Sequence, residues 1–384
     1  MKKLVVLGST GSIGQSALDV AGRFPDRVEI IGLSAGTNVD LLAEQAQKFK
    51  ARCVVLKDER TAEDFRRFGL SGIEVWQGME GLCRLAALPE ADTVVNGLVG
   101  SLGLRPSLAA LDSGKRLCLA NKEALVMGGE LVLKAAREGG GELMPVDSEH
   151  SALFQCLLGG KRKEVRRIVL TASGGPFLNW SKEKMALATP AQALKHPTWQ
   201  MGKKITVDSA TLFNKTLEVI EAHFLFGLPP DKIEVLVHPQ SIAHSLVEFR
   251  DGSTLAQLGP PDMRIPLQYA IFYPERLDGP AIALDLGGIE MLKFLPVDQE
   301  RFPSLKMAYR ALEKGGTAPA VLAAADERAV QLFLEGEISF GEIFELVGLA
   351  LETHRPVLSP TVEGIEEAER WTHQFLAARV KAAV

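Results

Sequence analysis

Cysteine is scarce: Cys53, Cys83, Cys118 and Cys156 are the four in 384 residues, scattered and without a CxxC pair. That spacing argues against a disulfide framework and leaves reduced, structural thiols of a reducing compartment as the expectation. Positive charge is not in excess either, since 43 Lys and Arg stand against 48 Asp and Glu for a net charge of −5. Without a basic field, neither nucleic acid nor an anionic membrane is an expected partner, which leaves small molecules and further copies of the chain. The densest basic run, Lys161 to Arg167, precedes a strand pattern and reads as solvated surface. No apolar run approaches membrane-spanning length, and the opening strand Leu4–Leu7 is too short for the apolar core of a signal peptide, so a cytoplasmic location is expected. Internal repeats and low-complexity tracts are missing too.

What is there is an ordinary enzyme-like chain, 46% hydrophobic and 24% charged, long enough for two or three domains. The apolar strand run Lys3–Leu7 meets Gly8-Ser9-Thr10-Gly11-Ser12-Ile13-Gly14 and then a helical pattern. Strand, glycine turn and helix together place backbone N–H groups and a positive dipole end where a pyrophosphate would lie. The spacing is GxxGxxG rather than GxGxxG, so placement carries more than the letters, and a merely tight turn is the bland reading. After the second strand, Val28–Leu33, the chain reads Ser34-Ala35-Gly36-Thr37-Asn38 and has no acid before Asp40. A ribose 2′-hydroxyl would call for a carboxylate there, so NADP is favoured over NAD. Further strands at 53–56, 73–75, 93–95 and 116–120 alternate with helical stretches, which predicts a doubly wound parallel sheet of Rossmann type. Lys122, at the end of the last of these, is either a substrate contact or a surface lysine opening a helix.

The densest chemistry begins at Pro145-Val146-Asp147-Ser148-Glu149-His150, after the strand Glu142–Met144. Asp147 and Glu149 aim two carboxylates at one small volume, a repulsion that Mg²⁺ or Mn²⁺ would relieve. An acidic helix cap is the plain alternative. A strand at 167–171 then ends in Ser173-Gly174-Gly175, which is either an anion nest or a turn of small residues. His196-Pro197-Thr198-Trp199-Gln200-Met201-Gly202, flanked by lysines, reads as a lid near 195–204, although a Trp anchoring a loop would look the same. Asp208 or Ser209 is expected to cap a helix on which Asn214, Lys215 and Glu218 share a face, suited to phosphate and to a third metal carboxylate. A surface Lys–Glu pair is the default for that spacing. His238 and His244 lack a third nitrogen or sulfur ligand and read as structural. A hairpin through Asp251-Gly252 follows, then a proline- and glycine-interrupted stretch, and a small helical bundle from Ser304 onward. The expected division is 1–146 for the dinucleotide, 147–273 for metal and substrate, 274–302 as linker and 303–384 as a C-terminal helical domain.

Taken together, GSTGSIG (8–14), LANKEAL (119–125), PVDSEH (145–150), SGGPF (173–177), HPTWQMG (196–202), VDSATLFNK-TLEVIEA (207–222), HPQS (238–241) and LAQLG-PPDMR (255–264) resemble one family, the 1-deoxy-D-xylulose 5-phosphate reductoisomerases. The resemblance implies a homodimeric enzyme of non-mevalonate isoprenoid synthesis. It would rearrange and reduce 1-deoxy-D-xylulose 5-phosphate to 2-C-methyl-D-erythritol 4-phosphate with NADPH and Mg²⁺, Mn²⁺ or Co²⁺. It implies Asp147, Glu149 and Glu218 as metal ligands, with Lys122 and Ser148 on the sugar hydroxyls. Ser173, His196, Ser209, Asn214 and Lys215 would hold the phosphate, with Trp199 closing over the substrate and Met201 nearby. Thr10, Gly11, Ser12, Ile13, Gly36, Asn38, Asn121, Glu123 and Gly202 would line the NADPH site, and Thr37 stands where some relatives carry a basic residue. Two other readings compete: a metal-assisted NADP-dependent hydroxy-acid dehydrogenase, which needs no phosphate site, and a non-catalytic NADP sensor, which needs no metal.

Overall fold

The early apolar runs become the strands of one parallel sheet in the computed structural model, which describes residues 1–199, 201–279 and 281–383. Gln200 of the expected lid, Pro280 of the expected linker and the terminal Val384 lie outside the described residues. β1 (Lys2–Leu7), β2 (Val28–Ser34), β3 (Cys53–Leu56), β4 (Glu74–Gln77), β5 (Thr93–Asn96), β6 (Arg116–Leu119) and β7 (Glu142–Pro145) lie in the order β4-β3-β2-β1-β5-β6-β7. All neighbours in this sheet pair in parallel. Its central strands are continuous apolar runs rather than alternating ones, because both faces are covered; Leu4 to Leu7, Val54, Val55, Val94 and Val95 are buried. The order reverses at β1, which has β2 on one side and β5 on the other, and ligands of such sheets bind at that switch point, off the carboxyl ends of the strands.

Compactness divides the chain into two units. Among the described residues the first is 1–124, 130–151 and 262–282; the second is 125–129, 152–261 and 283–383. This cuts differently from the expected boundaries at 146 and 273. The helix Arg264–Phe272 belongs with the parallel sheet's unit, where it packs on the helix Ser12–Arg23. Phe272 meets Phe24 edge-on at 5.2 Å, Arg264 reaches Asp19 at 3.0 Å, and Arg116 donates to the carbonyls of Ile271 and Tyr273 at 3.2 and 2.8 Å.

The second unit holds a mixed sheet of β8 (Val165–Ala172), β9 (Ile233–Val237), β10 (Ala243–Phe249), β11 (Thr254–Leu258) and β12 (Leu295–Pro296), ordered β11-β10-β8-β9-β12. β10 and β11 are the expected hairpin, and β8 and β9 run parallel. The C-terminal pattern folds into the helices Ser304–Lys314, Ala318–Glu335, Phe340–Thr353 and Val362–Ala383, whose shared core includes Phe333 and Phe340. One expectation fails here. Asp208 and Ser209 do not cap the helix that carries Asn214, because they lie inside a separate helix, Lys203–Thr211, and the break falls at Leu212, in left-handed conformation with φ 59°. The next helix is Phe213–Phe226.

Candidate active site

In the first unit, every expected cofactor residue before Gly202 sits beyond the carboxyl end of a strand. Gly8, after β1, has φ 77°, and a Cβ on Gly14 would stand 2.3 Å from the Gly8 carbonyl oxygen, so helix and turn approach as closely as they do only without side chains. The helix Ser12–Arg23 starts at Gly11 with no side-chain cap; Gly11 N donates to the Gly8 carbonyl at 3.1 Å, and the first-turn N–H groups of exposed Ser12 and half-buried Ile13 are placed for an anion. The turn is braced from below by a residue that the sequence reading missed. Buried Gln45 accepts from the Ser9 hydroxyl at 2.7 Å and donates to the Ser9 carbonyl at 3.0 Å. After β2, a Cβ on Gly36 would meet nothing within 4 Å, and Thr37 is exposed beside it. The Asn38 side-chain oxygen caps the next helix by accepting from Leu41 N at 3.3 Å.

Asn121 is tied into its own unit. Its oxygen accepts from Ala124 N, and its amide donates to the carbonyls of Leu98 and Gly100 and to Glu123, at 3.0, 3.0, 2.9 and 3.2 Å in turn. Its position therefore shapes the loop after β5, where Asn96 does the same by accepting from Leu98 N and donating to the Gly103 carbonyl.

The acidic turn follows β7. Asp147 accepts from Glu149 N at 3.1 Å and His150 Nδ1 at 3.0 Å on one oxygen, and from Lys122 Nζ at 3.0 Å on the other. A carboxylate only accepts, so the His150 proton sits on Nδ1. His150 is fully buried and was not singled out from sequence, where an adjacent histidine carries no signal of its own. Ser148 donates to Glu149 at 2.5 Å. Lys122 is only 6% exposed, so it is not a surface lysine; burying an ammonium this deeply demands the carboxylate partner it has.

In the second unit, β8 ends in Ser173-Gly174-Gly175, whose glycines have φ 84° and 64°. A Cβ on Gly175 would fall 2.5 Å from the Ser209 carbonyl oxygen, so this glycine is what lets the strand end lie against the helix Lys203–Thr211. The outcome is a small polar cluster: His196 Nε2 stands 3.0 Å from Ser173 Oγ and 3.1 Å from Ser209 Oγ. On its other side His196 Nδ1 accepts from Thr198 N at 3.1 Å and Trp199 N at 2.8 Å. With Nδ1 as acceptor, the neutral ring carries its proton on Nε2, aimed at the two serines, and burial holds its pKa below the ordinary histidine value. One turn past Leu212, Asn214 donates to Glu218 at 2.6 Å and Lys215 pairs with the same carboxylate. Lys215 and Glu218 are 3% and 0% exposed, so the expected shared face is real and is buried, not a surface pair. Trp199 is half-buried with its ring 6.4 Å from that of His244, and Gly202 is the N-cap of the helix Lys203–Thr211. Met201 lies between them, partly exposed. His238 is structural as expected: Nδ1 donates to the Lys293 carbonyl at 2.8 Å, and Nε2 accepts from Ile242 N and Ala243 N, each at 3.2 Å.

The donor chemistry suits a hard divalent cation, since Asp147, Glu149 and Glu218 offer only carboxylate oxygens and the first and last already hold lysine ammonium groups. The four cysteines are free, and burial raises the thiols of Cys53, Cys118 and Cys156 to about 11, about 12 and about 11, which leaves them protonated and inert.

A doubly wound sheet with an uncapped glycine-turn helix at its switch point defines the class, an α/β oxidoreductase built around a dinucleotide. Within that class the family is narrower. Models of the 1-deoxy-D-xylulose 5-phosphate reductoisomerase match residues 4–129, with its C-terminal domains matching 143–226 and 258–375, and the chain belongs to this family. The reductoisomerase of Symbiobacterium thermophilum is 52% identical over 97% of both chains, and that of a Synechococcus strain is 49% identical over 100% of this chain and 98% of its own. Among solved structures, the Zymomonas mobilis enzyme in complex with NADPH is 42% identical with TM-score 0.93, covering 99% of each chain. A DOX-P reductoisomerase in complex with NADPH, fosmidomycin and magnesium is 38% identical with TM-score 0.94, covering 99% of this chain and 98% of its own.

Proposed function

We propose that this chain converts 1-deoxy-D-xylulose 5-phosphate to 2-C-methyl-D-erythritol 4-phosphate, rearranging the skeleton by retro-aldol and aldol steps and then reducing it. The observations that carry the reading are the buried lysines paired with Asp147 and Glu218, and, in the second unit, a three-residue hydroxyl–imidazole cluster. A plain hydroxy-acid dehydrogenase would have no use for that cluster, and a sensor would have no use for the acids. When bound, a divalent cation (Mg²⁺, Mn²⁺ or Co²⁺) held by Asp147, Glu149 and Glu218 supplies Lewis acidity to neighbouring ketose oxygens, and NADPH supplies the hydride.

The chain's own groups do the rest. Lys122, already partnered by Asp147, presents an ammonium N–H to a substrate oxygen, and the Ser148 hydroxyl binds its neighbour. The phosphate is held by the Nε2–H of His196, the hydroxyls of Ser173 and Ser209, and Asn214 and Lys215, giving binding energy remote from the reacting carbons. Trp199, with Met201 beside it, covers the sugar and excludes water. Thr10, Gly11, Ser12 and Ile13 take the pyrophosphate, Gly36 and Asn38 the adenosine side, and Asn121, Glu123 and Gly202 the nicotinamide side. As functional regions we assign 1–146 to cofactor, 147–273 to metal and substrate, 274–302 to connection and 303–384 to support. The chain works as a cytoplasmic homodimer; its reduced thiols and the outer edge of β11, where Leu255 is 40% exposed, support this.

The test is NADPH oxidation with 1-deoxy-D-xylulose 5-phosphate and Mn²⁺, before and after chelation, with the product identified and the mass in solution measured. Metal-dependent formation of the branched product is expected. An unbranched alcohol, or turnover that survives chelation, would overturn the assignment.

A further inference from the structure

The helix Lys203–Thr211, which presents Ser209, is gripped at both ends by the C-terminal helices. At its start, Lys204 Nζ lies 2.7 Å from Asp208 and 2.7 Å from Asp326, whose side chains are 3% and 0% exposed. Asp326 sits on the helix Ala318–Glu335, far along the chain from the phosphate cluster. At its end, the Ser304 hydroxyl donates to the Thr211 carbonyl at 2.7 Å, and both residues are fully buried. The strained Leu212 follows at once. A short helix whose first turn and last carbonyl are both fixed from outside cannot slide or roll, and Ser209 must stay within reach of His196 and of the Gly175 turn.

We propose that Asp326 is a positioning residue for phosphate binding: through Lys204 it locks the helix that carries Ser209, and Ser304 completes the lock. The C-terminal bundle thereby acts on phosphate binding through the helix that it holds. This rests on the reading of Ser209 as a phosphate group. Two effects of removing Asp326 have opposite signs. Deleting a negative charge, and nothing else, would strengthen anion binding; loosening the helix would weaken it.

The experiment compares wild type with Asp326→Asn, Asp326→Glu and Ser304→Ala, measuring the KM for the sugar phosphate, the Kd of inorganic phosphate by calorimetry and the Kd of NADPH. Asp326→Asn is expected to raise the first two by about 10-fold and leave NADPH within about twofold, with Asp326→Glu restoring part of the loss. Ser304→Ala moves phosphate the same way by a smaller factor, and it carries the test if Asp326→Asn does not fold. Unchanged or tighter phosphate binding in a folded variant overturns the proposal, as does an equal loss for phosphate and NADPH. A wild type that fails to turn over the sugar phosphate would instead count against the assigned reaction.

Discussion

Glu218 has no exposed surface, accepts from Asn214 and pairs with Lys215. Changing Glu218 to Gln keeps the shape and removes one of the three carboxylates proposed to hold the metal. The expected result is a kcat lower by on the order of 1,000-fold, about 4 kcal/mol of barrier, with NADPH affinity intact in fluorescence titration. Loss of NADPH binding in parallel would sink the role given to it. His196 makes a different kind of prediction. Burial lowers its pKa from the ordinary 6.5, so folding favours the neutral ring whose Nδ1 accepts from Thr198 N and Trp199 N. Its contribution is complete above pH 6.5 and erodes as pH falls from there towards the folded-state value, where the unfolded chain binds the extra proton. Tm measured against pH should therefore fall more steeply below that point in wild type than in a His196→Gln variant, and identical profiles would contradict it. At Thr37, exposed next to the open space at Gly36, an arginine should tighten NADPH but not NADH, by about 3- to 10-fold for one exposed charge contact.

Elements show where reading from sequence stops. The strands of the first sheet and β8 to β11 of the second were legible because their apolar runs end in glycine or polar turns, whereas the two-residue β12 falls in the stretch expected as linker; the face shared by Asn214, Lys215 and Glu218 followed from helical spacing alone. The break at Leu212 was not legible. A leucine at φ 59° costs about 1–2 kcal/mol. Phe213 N donating to Thr211 Oγ1 at 3.3 Å offsets part of this locally, while the burial of Leu212 and the grip of Ser304 on the Thr211 carbonyl are contacts that only the tertiary structure supplies. The plain reading of Asp147 as a cap is seen directly, since one oxygen accepts from Glu149 N while the other holds Lys122. A tight constraint at the phosphate cluster is Gly175, where an alanine would need the left-handed conformation and would press a Cβ to 2.5 Å from Ser209's carbonyl. Gly175→Ala should raise the KM for the sugar phosphate by at least about 10-fold, with unchanged NADPH binding as the control.

For the whole molecule, two compact units and two classes of ligand give a stability test. NADPH at about 100 times its Kd should add about 2.7 kcal/mol to whatever cooperative unit contains residues 8–14, as read by calorimetric unfolding. If the units melt separately, NADPH moves one transition and inorganic phosphate the other; a joint shift by either ligand means that they unfold as one.

The return of residues 262–282 to the first unit has a consequence for how the protein is made. Synthesis runs from the amino end, yet the helix that covers Ser12–Arg23 and receives Arg116 is among the later parts to leave the ribosome. Phe24 stays without its aromatic partner, and Arg116 without its carbonyl acceptors, until the entire β8–β11 region has been translated. The nascent nucleotide domain is thus a guest awaiting its last wall, with apolar surface open to chaperones for most of its time on the ribosome.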